Sequence, residues 1–183
     1  MLLIMDFKEY KSALWLVAKF FIAYIVLTLI YSQYLQPYLE VQKIADPFTA
    51  WVSESVSSLM NVIGFNADTQ QFPDENYMRF YLEGNYSSII NEGCNALSIM
   101  IIYVSFIIAF SQKWLTTIFY ALGGVVLLHI TNIIRIAILN YIFVYYPDYA
   151  KMSHDILFPA IIYGMVVILW LIWIKFFVFK KEK

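Results

Sequence analysis

Cysteine occurs once in 183 residues. A single thiol can form neither an internal disulfide nor a two-cysteine redox pair, so a disulfide oxidoreductase is disfavoured. Cys94 is left with packing, metal ligation or nucleophilic chemistry. Charge is also sparse: 14% of residues are Asp, Glu, Lys or Arg, against 62% hydrophobic, far from the balance of a soluble domain. Clustered Lys and Arg are missing and the net charge is -1, which argues against a nucleic-acid partner. No C-x-x-C or H-x-x-x-H spacing supports a metal site built from Glu92, Cys94 and His154, and no metal or other cofactor is expected. No internal repeat or low-complexity linker divides the chain, so residues 1–183 read as one domain.

What the chain does have is long apolar runs. A hydrocarbon core about 30 Å thick needs roughly 20 apolar helical residues to cross it. Four runs stand out, at residues 13–31, 94–110, 115–145 and 156–179, and they predict an all-α integral membrane protein with about four main transmembrane helices. The first run carries Lys19 and lacks a small-residue cleavage site, so it is expected to stay as an anchor rather than be removed as a signal peptide. Lysines set the orientation, because cytoplasmic flanks carry the basic excess. Lys8 and Lys11, then Lys113, then Lys175, Lys180, Lys181 and Lys183 fall on one side of a four-span arrangement. The opposite side receives residues 32–93 and 146–155, with ten of the thirteen acids but only Lys43, Arg79 and Lys151. Both termini are therefore expected inside, with Cys94 facing out.

The outer segment at 32–93 has structure of its own. Within residues 47–65, Phe48, Trp51, Val52, Val56, Leu59, Met60 and Ile63 recur near helical spacing, with Ser53, Glu54, Ser57 and Ser58 between them. This predicts an amphipathic helix at the outer interface or packed on the bundle. The alternation from Met78 to Tyr86 predicts a small hairpin or strand pair, forming a minor extracytoplasmic insertion.

Polar residues inside or beside spans mark sites, since polarity is costly there. In the third run Asn132 and Arg135 are three residues apart and share a helix face. Arg135 lies roughly 30 Å along that helix, at the depth of Cys94. His154 and Asp155 stand at the outer mouth of the fourth run. Three helix ends thus deliver a thiol, a guanidinium and an imidazole to one membrane face. A thiolate attacks a carbonyl, and His154 can take the thiol proton and return it to a leaving amine. Arg135 stays protonated, so it can hold a developing oxyanion or a substrate carboxylate. Read singly, each residue has a plainer role. Cys94 is a packing residue, Glu92 a solvated acid at a helix start, Asn132 an interhelical hydrogen bonder, and His129 a structural residue. Asp155 is a helix cap or the group that fixes the His154 tautomer, and Arg79 is a surface residue or a contact for a substrate carboxylate.

The order of the motifs, Glu92-Gly93-Cys94-Asn95-Ala96-Leu97, then Asn132-Ile133-Ile134-Arg135, then His154-Asp155, resembles the exosortase and archaeosortase family of membrane cysteine transpeptidases. The resemblance covers about residues 88 to 165. It is strongest to the short branch called exosortase F, with four spans in place of about eight and Asn95-Ala96 where Ser-Gly is common. It implies a bacterial cytoplasmic-membrane enzyme with its active site on the outer face. The implied substrates are secreted precursors carrying a C-terminal sorting signal made of a short motif, a transmembrane helix and a basic tail. Cys94 is then the nucleophile, His154 the proton carrier and Arg135 the electrostatic partner, with Glu92, Asn95, Asn132 and Asp155 supporting them. The acyl group is expected to pass to a membrane-borne amine. Two readings compete with this: the same cysteine chemistry ending in hydrolysis by water, and a non-catalytic four-span scaffold in which Cys94 is dispensable.

Overall fold

A computed structural model describes residues 7–179. The chain is mostly helical, with helices α1 (Phe7–Gln36), α2 (Pro47–Val62), α3 (Leu97–Ala109), α4 (Trp114–Tyr145), a single turn α5 (Ala150–Met152) and α6 (Phe158–Trp173). The all-α expectation is corrected by three strands, β1 (Ala67–Gln71), β2 (Met78–Leu82) and β3 (Asn85–Ile90), which form one antiparallel sheet in the order β1-β2-β3. The anticipated hairpin is the β2–β3 pair. Its two turn residues, Glu83 and Gly84, both have left-handed φ values of 52° and 73°. Such turns match the twist of the strands they join.

Three helical runs are long and apolar enough to cross a membrane: Ala13–Gln42, Trp114–Tyr145 and Pro147–Val178. The run expected at 94–110 is shorter. Its helix begins only at Leu97, because Ala96 has a left-handed φ of 65° and the side chain of Asn95 accepts the Leu97 N–H at 2.8 Å. The remaining 13 residues span about 20 Å at 1.5 Å per residue, less than a hydrocarbon core. The last run also departs from 156–179. It starts at Pro147, whose fixed φ suits a first helical turn, and continues through the π-turn Ser153–Leu157. His154 is therefore inside a helical run rather than at its mouth. Lys180, Lys181 and Lys183 lie outside the described residues.

Short α3 is the hub of the bundle, packing against α1, α4 and α6. Helix α1 leaves Leu14, Phe21, Ile25 and Leu29 exposed, the outward apolar face that a helix in lipid requires. The buried side chains form two cores. One lies within the bundle and includes Met100, Tyr103, Ile107, Leu128, Ile162 and Trp173. The other joins α2 and the sheet to α4 through Val52, Val56, Phe80, Leu82 and Ile136. Helix α4 contributes to both, so it fixes one core relative to the other.

Helix α2 is amphipathic as expected, and its inner face keeps the expected Val52, Val56 and Met60 but is rotated towards Ser53 and Ser57. Thr49, Val52, Ser53, Val56, Ser57 and Met60 are buried, whereas Trp51 and Ile63 are exposed. The serines turn inward because the sheet offers partners: the Ser57 hydroxyl donates to the Ala67 carbonyl at 2.8 Å, and the Ser53 and Thr69 hydroxyls meet at 2.5 Å. In the insertion Arg79 pairs with Glu75, which holds that carboxyl below its usual range.

Helices α3 and α4 approach closely at Gly124, where an added methyl would fall inside the buried ring of Tyr103. The Tyr103 hydroxyl donates to the Tyr120 carbonyl at 3.0 Å, so the ring cannot swing aside freely. Gly124→Ala is expected to destabilise the protein by about 1–3 kcal/mol, the usual range for overpacking. Thermal unfolding in detergent micelles checks this, and an unchanged midpoint would show that the ring does yield.

Candidate active site

Cys94 ends the 3-10 turn Glu92–Cys94 and packs against the core that joins α2 and the sheet to α4. Its backbone is held from both directions. The Cys94 N–H donates to the Asn91 carbonyl at 2.9 Å, and the Cys94 carbonyl accepts from Asn132 Nδ2, also at 2.9 Å. Asn132 is completely buried in α4. Counting from Trp114, it stands about 27 Å along that helix, which fixes the level of the thiol-bearing turn. The Asn91 side chain accepts from the Gly93 N–H at 3.1 Å and closes the turn from the other end.

Asn95 is also fully buried, and it points away from the thiol. Its amide donates to Thr49 Oγ1 at 2.9 Å, and Thr49 in turn donates to Asp46 Oδ2 at 2.5 Å. Asp46 caps α2 through the N–H groups of Phe48 and Thr49, both at 3.1 Å, and accepts from the Tyr34 hydroxyl of α1 at 3.0 Å. This buried carboxylate is fully engaged by donors, as burial of a charge demands. A single polar chain thus ties the cysteine turn to α1 and α2. Sequence reasoning did not single out Asp46 or Thr49; the signal available was an Asp directly before Pro47, the pattern of an N-cap followed by a helix-starting proline.

A cavity of about 570 Å³ opens beside Cys94. Strand β3 and the cysteine turn form one wall, through Ser87–Ile90, Gly93 and Cys94; Arg135, Leu139, Asn140 and Phe143 of α4 form another. The last helical run supplies His154, Phe158 and Pro159. Cys94, Arg135 and His154 therefore border one space, and Cys94 lies within electrostatic reach of the guanidinium. Arg135 Nε is buried without a hydrogen-bond partner, and among the described residues no carboxylate forms an ion pair with Arg135. The His154 imidazole is solvent-accessible, with Nδ1 at 2.9 Å from Asp155 Oδ1. Because a carboxylate only accepts, the tautomer that bonds Asp155 carries its proton on Nδ1.

The remaining candidates lie elsewhere. Glu92 is absent from the cavity wall and from any ion pair among the described residues. His129 stacks on Trp51, with ring centroids 4.3 Å apart, and its buried Nδ1 has no hydrogen-bond partner. Arg79 is occupied by Glu75 and the face of Phe72. Among the described residues no three His, Cys, Asp or Glu side chains stand together as a metal site.

The family model described as "Transmembrane exosortase" matches residues 10–177. The chain belongs to that family. No curated protein and no solved structure matches the chain. The match extends from α1 to the end of the last helical run, well beyond the three motifs. The exosortase family is associated with the processing of sorting signals, and membership implies a cysteine peptidase or transpeptidase.

Three cavity residues of this exosortase went unassigned in the sequence. The register of β2 on β3 shifts at Phe80/Tyr81 and leaves Ser87 as an extra residue, a β-bulge. The bulge turns Ser87 and Ser88 to the same side, and both hydroxyls donate to Asn140 Oδ1 at 2.7 Å. Asn140 is thus the clamp between β3 and α4.

Because Asn95 anchors the cysteine turn without touching the thiol, Asn95→Ala should act through stability and position. Losing the buried partner of Thr49 and of the Leu97 N–H is expected to cost about 1–3 kcal/mol. The check is the thermal midpoint beside the processing rate. A variant of native stability and native rate would remove Asn95 from the support.

Proposed function

We propose that this exosortase cleaves the C-terminal sorting signal of secreted precursors at the outer face of the bacterial cytoplasmic membrane. The observation that carries the reading is the shared cavity, in which a thiol and an imidazole border the same space as a guanidinium lacking a carboxylate partner. The Cys94 sulfur, its proton passed to His154 Nε2, attacks the scissile carbonyl. Arg135 donates to the resulting oxyanion from a site largely removed from water, where such a contact counts most. As the tetrahedral intermediate collapses, the C–N bond breaks and His154 returns the proton to the leaving amine. An acyl group remains on Cys94. A membrane-borne amine then attacks, giving its proton to His154, and the thiol is released. Hydrolysis is the same sequence with water as acceptor.

In this reading Asp155 holds the imidazole with Nδ1 protonated, while Asn132 and Asn95 are positioning residues for the cysteine turn. The chain crosses the membrane four times, with the short α3 as the second crossing, and both termini are cytoplasmic. Lysine asymmetry supports this orientation. The thiol then sits in a recess below the outer surface, consistent with the short α3 and with the level of Asn132. The resemblance of the motifs favours the exosortase F branch.

Processing of a precursor by membranes carrying Cys94→Ala should be abolished. Arg135→Lys should lower the rate by about 10²-fold or more, since a point charge cannot replace a planar donor fork aimed at an oxyanion. Wild-type processing by Cys94→Ala would instead favour the scaffold. Mass spectrometry of the new C-terminus separates acceptors: an amine-linked adduct marks transpeptidation, and a free carboxylate in every product marks hydrolysis. For the orientation, a thiol introduced at Lys113 in the cysteine-free background should resist an impermeant maleimide added to intact cells, whereas one at Tyr86 should react. Outside labelling at position 113 would reverse the arrangement.

A further inference from the structure

The two edges of the small sheet are treated differently. On β1 the backbone of Ala67 is engaged by α2: the Asn61 side chain accepts the Ala67 N–H at 2.9 Å and donates to the Ala67 carbonyl at 2.8 Å, joined there by Ser57. On β3 nothing equivalent exists. Among the described residues, no hydrogen bond engages the backbone of Asn85–Ile90 on the side away from β2. Exposed edges are normally blunted by charge or proline, yet Asn85–Ile90 carries neither.

This open edge borders the cavity. A space that touched only one face of a strand would meet alternate residues, because side chains alternate between faces. The bulge brings Ser87 to the side of Ser88, and Ser88 and Ile90 share a face by alternation, but the cavity also meets Ile89, which points the other way. It therefore reaches round the edge of the strand, and the same cavity is lined by Gly93 and Cys94. The Asn140 clamp on both serines holds this edge against α4 without using its backbone groups.

The geometry points to β3 as the substrate-docking strand. The extended segment of the precursor on the acyl side of the scissile bond adds to the sheet as a fourth strand, beside β3, and delivers its carbonyl to Cys94. This rests on the proposed peptidase reading, from which the occupant follows. A thiol must reach a peptide carbonyl, and a chain paired as a strand presents its backbone extended and in fixed register. Main-chain hydrogen bonds would supply affinity with little sequence demand, while alternate side chains would meet the walls at Leu139 and Phe158. The sense of pairing follows too. Strand β3 leads the chain towards Cys94 and then into α3. A precursor whose secreted part precedes its membrane helix runs the same way, so the added strand is parallel to β3.

The solitary thiol makes the test direct. Cys94→Ala yields a cysteine-free chain that holds precursor unprocessed, and Ile89→Cys or Leu139→Cys then places one reporter on the β3 wall or the α4 wall. Each is combined in membranes with a precursor carrying single cysteines at successive positions on the acyl side of its cleavage point, and copper-phenanthroline oxidises adjacent thiols. Adducts from Ile89→Cys should be several-fold stronger at alternate precursor positions than at those between, rising and falling about one register. Equal adducts at consecutive positions, adducts from Leu139→Cys alone, or none from Ile89→Cys would overturn edge pairing. Processed precursor in the Cys94→Ala membranes, visible on the same gel, would instead remove the peptidase chemistry underneath it.

Discussion

Everything around the thiol depends on one hydrogen bond, from the buried Asn132 amide to the Cys94 carbonyl. A chain that leaves a strand, makes a 3-10 turn and passes through a left-handed residue before entering a helix leaves backbone groups without regular partners. An orphan carbonyl buried away from water costs several kcal/mol. Asn132 satisfies the carbonyl of the very residue that carries the sulfur. Asn95 does the same for the first N–H of α3 while reaching the α2 cap through Thr49. Irregular backbone thus persists where helix would otherwise be forced, and the thiol is displayed at the rim of the cavity instead of being packed along a helix face.

The same two asparagines show how far the sequence could be read. Asn132 and Arg135 were legible as a pair because helical spacing is local, and a run as long as α4 leaves little doubt about its period. Asn95 was readable as a motif member, but its direction was not, since its partner Thr49 is distant in the chain. The rotated face of α2 has the same origin. Ser53 and Ser57 look like an outer face until a sheet stands opposite to receive their hydroxyls. Strand β1, Ala67–Gln71, has no apolar alternation to announce it, because α2 covers it with polar contacts as well as apolar ones. The early start of the last helix was legible in principle from Pro147, yet hydropathy located only its apolar part. That error moved His154 from a helix mouth into a helical turn while leaving it on the same side of the site.

Position and chemistry then meet in the contrast between two arginines. Arg79, in the outer insertion, is paired with Glu75 and stacked on Phe72. Arg135, at the membrane site, has no acidic partner among the described residues and retains a buried Nε with no acceptor. The chain has acids close by in sequence to the catalytic candidates, at Glu92 and Asp155, but Asp155 bonds His154 and neither forms an ion pair with Arg135 among the described residues.

A guanidinium without a carboxylate partner and with a buried Nε raises the free energy of the resting state. In the proposed reaction that cost is tolerable, because the missing anion would form during the reaction. Had a carboxylate occupied the site, the attraction would have been spent before substrate arrived, and a developing oxyanion would meet a cation already neutralised. Under that proposal, an unpaired Arg135 would interact more strongly with the tetrahedral oxyanion than with the neutral carbonyl that precedes it. Only such a difference accelerates the chemical step. A thiolate on Cys94 is the other anion that could fill the role, but its charge disappears as the C–S bond forms while that on oxygen grows. The same guanidinium can therefore serve both in succession without moving, provided the turn that carries Cys94 holds still, which returns the argument to Asn132.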